Sequence, residues 1–319
     1  MRTIDDLRQK QALPLDLKIR LTKRRIREWV NEFGLENVYI SFSGGKDSTV
    51  LLKLAREEYP DIEAVFVDTG LEYPEIRQFV KSFDHITWVK PDMNFKEVIQ
   101  KYGYPFISKE VAHKLDDRNS AILHGHESYV DRQLNGTYIS KNGKKNMVSI
   151  ESYKFLTEAP FKISHRCCNV MKKDPLKKHG GKPITAQMAD ESMLRRQMWI
   201  RYGCNAFQAK KQISNPMSFW TEQDVLQYII TNNIKLCSVY GDIIERDGKL
   251  TTTGCNRTGC MFCGFGCHLM KPGQGKFELM KETHPTQYDY IMRPWEEGGL
   301  NYKEVIDWLN EHGNLHIRY

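Results

Sequence analysis

The sequence lacks any long apolar run. No stretch approaches the roughly 18 consecutive apolar residues that a membrane-spanning helix needs. The first residues, Met1 to Lys10, are polar and lack the apolar core of a secretory signal. These two absences predict a cytoplasmic protein without a membrane partner.

The composition also lacks any extreme bias. Hydrophobic residues make up 40% and charged residues 27% of the 319 residues, which is ordinary for a globular protein. The length predicts one large domain or two smaller ones. The net charge of +7 permits a polyanionic partner such as nucleic acid, although a phosphate-bearing ligand would use several of the same charges.

One short stretch combines a β-prone run, a glycine turn and the start of a helix. Val38–Phe42 is apolar, Ser43–Ser48 reads Ser-Gly-Gly-Lys-Asp-Ser, and Val50–Leu54 is mostly apolar. Such a loop turns backbone N–H groups toward one point, and the helix dipole adds partial positive charge there. Lys46 adds a full positive charge. The pattern predicts a phosphate-binding loop, the alternative being a structural Gly-Gly turn.

The loop is not a Walker A sequence, which needs four residues between its first Gly and the Gly-Lys pair. It resembles the SGGxDS signature of the PP-loop ATP pyrophosphatases. The resemblance implies that the loop binds the pyrophosphate end of ATP, with Mg²⁺ near Asp47, and that Lys46, Asp47 and Ser48 are catalytic. The implied ATP-binding residues are Ser41, Ser43, Gly44, Gly45, Lys46, Asp47 and Ser48.

A second strand, Ala64–Asp68, is almost entirely apolar, as in a buried parallel strand. Helical and strand patterns alternate through the first ninety residues, and a third strand is predicted at Ile86–Val89. This order predicts a doubly wound, mostly parallel α/β sheet that binds ligands at the carboxyl ends of its strands.

The segment after the second strand reads Asp-Thr-Gly-Leu-Glu-Tyr-Pro-Glu. It is similar to the segment that follows the phosphate loop in the sulfonucleotide reductases, the PAPS reductase-like branch of the same superfamily. In that branch the segment lies beside the adenosine. The resemblance therefore implies cofactor-binding roles for Asp68, Thr69, Gly70 and Glu72, on an adenine nucleotide alpha hydrolase-like fold.

Further stretches resemble the same branch. Lys101–Phe106 and a helix beginning near Lys109 match it, and so does Cys167-Cys168 followed by Lys and Pro-Leu. The Asp-Glu-Ser-x-x-Arg stretch ends at Arg195 and Arg196. The resemblance implies that these arginines face phosphate or sulfate, a role that suits the planar guanidinium. The alternative is an ordinary helix with a basic outer face.

Eight cysteines are present, and four of them, Cys255, Cys260, Cys263 and Cys267, follow the spacing Cys-x4-Cys-x2-Cys-x3-Cys. In a reducing cytoplasm such thiols are better interpreted as metal ligands or reactive groups than as disulfides. Four soft ligands suit Zn²⁺ or a [4Fe–4S] cluster. A zinc ribbon usually has two separated Cys-x2-Cys pairs, so the single pair here favours the iron–sulfur cluster.

The ligand set stays open. The four clustered cysteines are preferred because short loops cost less entropy to close. Some sulfonucleotide reductases use the tandem pair with a distant Cys-x2-Cys, which would be Cys167, Cys168, Cys260 and Cys263 here; in a mixed set Cys168 replaces Cys255. Any cysteine that is not a ligand becomes a candidate persulfide carrier, and Cys168 is the predicted catalytic thiol. Cys204 and Cys237 are expected to be buried structural thiols.

Two departures separate this chain from the reductases. Their phosphate loop is degenerate, whereas Ser43–Ser48 is intact, and their C-terminal tail carries a nucleophilic Cys, whereas Glu311–Tyr319 has none. An intact loop, a cysteine cluster and a reductase-like body resemble the DNA phosphorothioation proteins of the DndC and SspD type. The tRNA thiolases are a more distant parallel.

That resemblance implies ATP splitting to AMP and pyrophosphate, adenylation of an acceptor oxygen, and sulfur insertion. DNA or tRNA, a cysteine desulfurase or another sulfur donor, and a homo-oligomeric partner are the implied partners. The rival hypotheses are a reductase of adenylyl sulfate or its 3′-phosphate, a sulfate adenylyltransferase-like enzyme, and a nucleotide-sensing subunit without turnover.

The sequence divides into three predicted regions: a basic amphipathic helix within 1–34, a PP-loop domain at 35–215 with an irregular or helical insertion at 119–160, and a C-terminal helical region at 216–319 with the cysteine cluster at 255–268. The basic face of the first helix is either solvated or in contact with nucleic acid. Thr221 is predicted to cap a helix, with Asp224 at the capping-box position.

Overall fold

The computed structural model describes residues 2–126, 128–139 and 150–319. By its internal packing the chain forms two compact units. Unit 1 comprises Met1–Pro91 and Pro175–Gly259, and unit 2 comprises Asp92–Asp174 and Cys260–Tyr319. The three regions predicted from sequence follow motifs rather than packing, and they stay a prediction. Within the predicted insertion, Asn142–Lys145 lies outside the described residues.

The described α-helices are α1 Ile4–Gln11, α2 Leu15–Phe33, α3 Lys46–Glu58, α4 Pro74–Val80, α5 Phe95–Tyr102, α6 Lys109–Leu123, α7 Tyr129–Leu134, α8 Asp174–His179, α9 Met193–Tyr202, α10 Glu222–Thr231, α11 Lys276–Thr283, α12 Pro285–Met292 and α13 Tyr302–Gly313. The strands are β1 Val38–Ser41, β2 Glu63–Val67, β3 Ile86–Val89, β4 Phe106–Ile107, β5 Lys182–Ile184, β6 Ile243–Arg246, β7 Lys249–Thr252 and β8 Gly264–Phe265. Among these helices, none has both the length and the apolar character to cross a bilayer.

Unit 1 is built on a four-stranded sheet in the order β3-β2-β1-β5. All three pairings are parallel, and the register places Tyr39 opposite Glu63 and Val38 opposite Lys182. The predicted parallel α/β sheet is therefore confirmed. Because β1 and β2 are neighbours, the loops that follow them leave the same edge of the sheet side by side.

The amphipathic helix α2 lies within the region 1–34 predicted for it, and it packs its apolar side into the core of unit 1. Ile26 and Trp29 are fully buried, together with Ile40 of β1 and Val50 of α3. Each of these side chains contributes about 1.5–3 kcal/mol by burial. The predicted cap of α10 is also confirmed, since Thr221 and Asp224 form the reciprocal capping box.

The basic face of α2 is largely neutralised inside unit 1. Lys18 is buried, and its ammonium contacts a carboxylate oxygen of Asp224 at 2.7 Å. Lys23 lies 2.9 Å from Glu57 and 3.3 Å from Glu58, both on α3, and Arg27 also pairs with Glu58. These ion pairs fasten α2 to neighbouring helices and leave fewer charges for a polyanion.

Unit 2 has an aromatic core beside a short parallel pair, β4 and β8. Tyr104, Phe106 and Tyr302 are buried there with ring centroids 5.2–6.4 Å apart. Gly264 lies against Phe106 so closely that a Cβ atom would overlap the ring. The described part of the predicted insertion is helical, comprising the end of α6, α7 and a 3-10 helix at Glu151–Glu158.

Candidate nucleotide site and cysteine region

The glycine loop of unit 1 is closed by hydrogen bonds from the first turn of α3. The Ser43 N–H donates to Ser48 Oγ at 3.2 Å, and Ser48 Oγ donates to the Gly45 carbonyl at 2.9 Å. Gly44 has φ +70°, and a Cβ atom there would meet the side chains of Val80 and Ile76 at 2.8 and 2.9 Å. Glycine is therefore required at this position, and the loop holds its N–H groups at the helix N-terminus.

Lys46 is only 2% exposed, and its contacts are made by residues far along the chain. Its ammonium donates to the Asn256 carbonyl at 2.7 Å and lies 3.0 Å from a carboxylate oxygen of Glu222. Its backbone N–H donates to Tyr240 Oη at 3.1 Å, and this hydroxyl shares a 2.9 Å hydrogen bond with Thr258 Oγ1. The segment after β7 thus packs directly against the phosphate loop.

Asp47 has a buried carboxylate oxygen, Oδ1, that accepts no hydrogen bond from the described residues, although the Lys46 ammonium lies 3.9 Å from it. Burial raises the pKa of Asp47, while the positive charges of Lys46, Arg257 and Arg195 oppose the rise. An orphaned carboxylate oxygen beside a phosphate loop fits a Mg²⁺ ligand, because this ion prefers carboxylate and phosphate oxygens.

Two arginines share one carboxylate next to Asp47. Arg195 pairs with Glu191, and Arg257 Nη1 lies 3.4 Å from Glu191 Oε1. Burial and the neighbouring Arg257 together lower the pKa of Arg195. Arg196 instead approaches Asp190, at 4.0 Å, and is 38% exposed. Of the two predicted arginines, the structure brings Arg195 to the loop and directs Arg196 to a different partner.

The segment after β2 is ordered by its own side chains. Thr69 Oγ1 donates to Glu72 at 2.8 Å, and the Thr69 N–H donates to the same carboxylate at 3.1 Å. Gly70 has φ +74°, which glycine adopts without strain. Asp68 is 8% exposed; Oδ2 accepts from Arg77 at 2.9 Å, while Oδ1 is buried without a partner among the described residues.

These predicted cofactor residues therefore lie beside the phosphate loop, at the ends of adjacent strands. Asp68 Oδ1 is a free acceptor suited to a hydroxyl or amino group. Ser41 is the last residue of β1, in register with Val65.

Several residues of this site were not predicted from the sequence, and among them are Asn256 and Glu222, which contact the Lys46 ammonium. Tyr240 contacts the loop and Thr258 contacts Tyr240, while the positive charge of Arg257 acts on Asp47. All three lie about 200 positions beyond the loop in the chain. The available signal was the Arg-Thr-Gly-Cys stretch, which the sequence interpretation assigned wholly to the cysteine cluster.

The tandem cysteines of unit 2 form a thiol pair. Cys167 hydrogen-bonds Cys168 and, with the nearby charges of Lys109 and Lys172, lowers the pKa of Cys168 to about 5. The same hydrogen bond, burial, and the charges of Cys263 and Cys260 raise the pKa of Cys167. Cys168 is therefore the thiol of this pair that ionises first.

The Cys-x2-Cys turn of unit 2 is held by Lys276. Its ammonium donates to the carbonyls of Cys260 and Cys263 at 3.2 and 3.1 Å. Tyr302 Oη donates to the Phe262 carbonyl at 2.7 Å. Cys267 is buried, which raises its pKa to about 12.

Cys255 belongs to unit 1, where its side chain interacts with Tyr73. Within residues 2–126, 128–139 and 150–319, no three His, Cys, Asp or Glu side chains form a group that could hold a metal ion. The cluster and its ligands thus stay a prediction. The prediction of burial for Cys204 and Cys237 is confirmed.

The family model of the phosphoadenosine phosphosulfate reductase domain matches residues 37–125 and 126–264. The chain belongs to this family. The match covers the phosphate loop, the segment after β2, both arginines and most of the cysteines. Membership indicates a nucleotide-binding enzyme.

Curated relatives of the family include sulfate adenylyltransferase subunit 2 of Geobacter metallireducens and of Shewanella loihica. They are 28% and 25% identical over 238 residues, which is 70% of this chain and 68% of each relative. An uncharacterized protein of Methanocaldococcus jannaschii is 42% identical over 69 residues, covering 20% of this chain and 17% of that protein.

Among solved structures, the phosphoadenylyl-sulfate reductase of Candida auris has a TM-score of 0.39 at 13% identity, covering 72% of this chain and 89% of that one. The FMN adenylyltransferase of Candida glabrata has a TM-score of 0.35 at 11% identity, covering 73% and 64%. These likenesses are too slight to carry an argument.

Proposed function

We propose that the chain splits ATP into AMP and pyrophosphate in order to adenylate an acceptor oxygen for sulfur insertion. The acceptor we favour is nucleic acid, as in the DNA phosphorothioation proteins of the DndC and SspD type. The observation that carries the proposal is the intact loop. Lys46 and Asp47 lie at the N-terminus of α3, and the charges of Arg195 and Arg257 act on Asp47 from outside the loop.

The loop residues would bind the β- and γ-phosphates. The N–H groups of the loop and the dipole of α3 favour negative charge at this point, and Lys46 adds an ammonium. Asp47 Oδ1 would hold Mg²⁺, and the ion would neutralise negative charge on the phosphates when bound. To reach the pyrophosphate, Lys46 exchanges its Asn256 and Glu222 contacts for phosphate oxygens.

The chemical step is a displacement at the α-phosphate. The acceptor oxygen forms a bond to the α-phosphorus, the bond to the bridging oxygen of the β-phosphate breaks, and pyrophosphate leaves with that electron pair. An acceptor hydroxyl gives up its proton, whereas a phosphate oxygen has none to lose. Arg195 and Arg257 stabilise the charge that develops on the α-phosphate, and Lys46 stabilises the leaving pyrophosphate.

A [4Fe–4S] cluster remains part of the proposal. The thiol donors of Cys167, Cys168, Cys260 and Cys263 would suit such a cluster in chemistry, and so would those of the four cysteines that are clustered in sequence. The cluster would supply sulfur or redox chemistry. If instead Cys255, Cys260, Cys263 and Cys267 are the ligands, Cys168 is left to carry sulfur as a persulfide, which its lowered pKa favours.

The test is acceptor-dependent release of pyrophosphate. The protein is incubated with ATP, Mg²⁺, DNA or tRNA, and cysteine with a cysteine desulfurase as sulfur donor, and both AMP and pyrophosphate are quantified. We expect equal amounts of the two products and their loss in Lys46→Met. Absence of pyrophosphate with every acceptor would contradict the proposal.

A second candidate is adenylation of sulfate. It is favoured by the relatives named sulfate adenylyltransferase subunit 2, which align over 70% of this chain. Pyrophosphate release that depends on sulfate and not on nucleic acid would select this candidate. Release of sulfite from adenylyl sulfate or its 3′-phosphate would instead select a reductase.

A further inference from the structure

A separate cavity of about 140 Å³ lies in unit 1, lined by residues of α1, α2 and α9 and by the segment that follows α9. None of the phosphate-loop residues Ser43–Ser48 lines it, nor do Asp68, Arg195 or Arg257. Its walls combine cationic side chains with buried aromatic rings. None of these lining residues has a role in the proposed ATP chemistry.

Three cations line this cavity, and no carboxylate does: they are Arg2, Lys10 and Arg25. Arg25 is paired with Glu28 at 2.6 Å. In the described part of the chain, neither Arg2 nor Lys10 forms an ion pair. The cavity therefore carries an excess of positive charge, which favours a bound anion.

Arg2 is seated against the backbone at the end of α9. Gly203 has φ +74°, and a Cβ atom there would lie 2.7 Å from the Arg2 guanidinium carbon. This close approach places the guanidinium at the wall of the cavity. Arg25 and Lys10 act in the same place, since their charges lower the pKa of the cavity-lining Cys204 thiol against the larger effect of burial.

A buried donor also lines the cavity. Trp199 is 2% exposed, and its indole N–H has no oxygen acceptor among the described residues; its hydrogen-bonding neighbour is the weakly accepting sulfur of Cys204. The indole lies beside the Cys204 thiol, which already accepts from Ser218 Oγ at 3.3 Å. An oxyanion in the cavity would give this N–H a stronger, charged acceptor than the thiol.

The size of the cavity limits the ligand. A cavity of roughly 150 Å³ holds a molecule about as large as benzene, so a nucleotide is excluded and a tetrahedral oxyanion fits. We propose that this cavity binds sulfate or phosphate between Arg2, Lys10 and Arg25, with the Trp199 indole N–H as a further donor. The proposal does not depend on the proposed function.

The experiment follows the indole N–H resonances by two-dimensional NMR during titration with sodium sulfate, with sodium phosphate as the second arm. The protein has six tryptophans, and the peak that is missing from the spectrum of Trp199→Phe is assigned to the indole N–H of Trp199. We expect this peak to move saturably with sulfate or phosphate, and not with sodium chloride at matched ionic strength. The anion that saturates at lower concentration identifies the preferred ligand.

The matched variants are R2Q/K10M and Lys53→Met. Gln and Met keep part of the length of the Arg2 and Lys10 side chains without their charge, and the double variant should weaken binding on the order of tenfold or more. Lys53 contacts Glu57 at 3.8 Å outside the cavity, and its replacement should leave binding unchanged. A Trp199 peak that does not move, that moves equally with chloride, or that moves unchanged in R2Q/K10M overturns the proposal.

Discussion

The Lys46 ammonium donates a hydrogen bond to the carbonyl oxygen of Asn256 at 2.7 Å, although the two residues are 210 positions apart in the chain. This contact ties the phosphate loop to the segment after β7, which also brings Thr258 against Gly45. Tyr240, which precedes β6, lies against the same glycine. The candidate nucleotide site therefore consists of the loop and of distant segments of the chain, and all of them should be sensitive to mutation.

Lys46→Met should strongly slow pyrophosphate release while the chain stays folded. The methionine keeps the length of the buried side chain but removes the charge that stabilises the leaving pyrophosphate, so we expect a loss of about 10²–10³ in kcat. Steady-state pyrophosphate assays measure the loss. Lys53→Met, on the outer side of α3, is the matched control and should retain activity; equal losses in the two variants would contradict a role for Lys46.

Arg257→Gln should lower kcat/KM more than Arg196→Gln. Arg257 shares Glu191 with Arg195 beside Asp47, whereas Arg196 approaches Asp190. Loss of one charge-assisted contact to a phosphate predicts a decrease of roughly 10²-fold for Arg257→Gln, against a few-fold for Arg196→Gln. The same assay, run with both variants in parallel, checks the order; the reverse order would assign the phosphate contact to Arg196.

Glu58→Gln should destabilise unit 1 by a pH-dependent amount. Burial raises the pKa of Glu58, but hydrogen bonds from Arg27 and Lys23 outweigh burial, so the net pKa in the folded state is lowered. The stabilisation is thus present above the ordinary glutamate pKa of about 4.5 and is lost as the pH falls through the lower folded value.

Because these groups are partly solvated, we expect about 0.5 kcal/mol at pH 7. Urea unfolding of both proteins at pH 7 and near pH 3.5 measures the difference. A gap that grows on acidification would show that the ion pair is not its source.

Cys168→Ser and Cys255→Ser should differ in iron content. If Cys167, Cys168, Cys260 and Cys263 are the ligands, anaerobically purified Cys168→Ser loses iron and the broad absorbance near ~400 nm, while Cys255→Ser keeps both. The opposite pattern would select the four cysteines that are clustered in sequence. Zinc in place of iron in the wild-type protein would reject the iron–sulfur hypothesis for either set.

The features predicted correctly are those with local signals. Periodicity located α2, the apolar run at Val38–Phe42 located β1, and the Thr221 capping box located the start of α10. In each of these cases, neighbouring residues determine the structure. The loop Ser43–Ser48 was found for the same reason, because strand, glycines and helix follow one another directly.

The features that sequence reasoning missed depend on distant packing. Arg257 and Tyr240 join the phosphate loop only when the chain returns after about 200 residues. The choice among the cysteine ligand sets stays a prediction, because spacing along the chain does not show which distant thiols come together, such as Cys167 with Cys260 and Cys263. The two-residue strands β4 and β8 are too short to show a periodic pattern.

The most direct test of the proposed adenylation is exchange of radiolabelled pyrophosphate into ATP, with Mg²⁺ and an acceptor present and the sulfur donor omitted. Reversible formation of an adenylated acceptor predicts label in ATP that depends on the acceptor and is absent in Lys46→Met. Hydrolysis of ATP to ADP, or no exchange with DNA, tRNA or sulfate, would contradict the account.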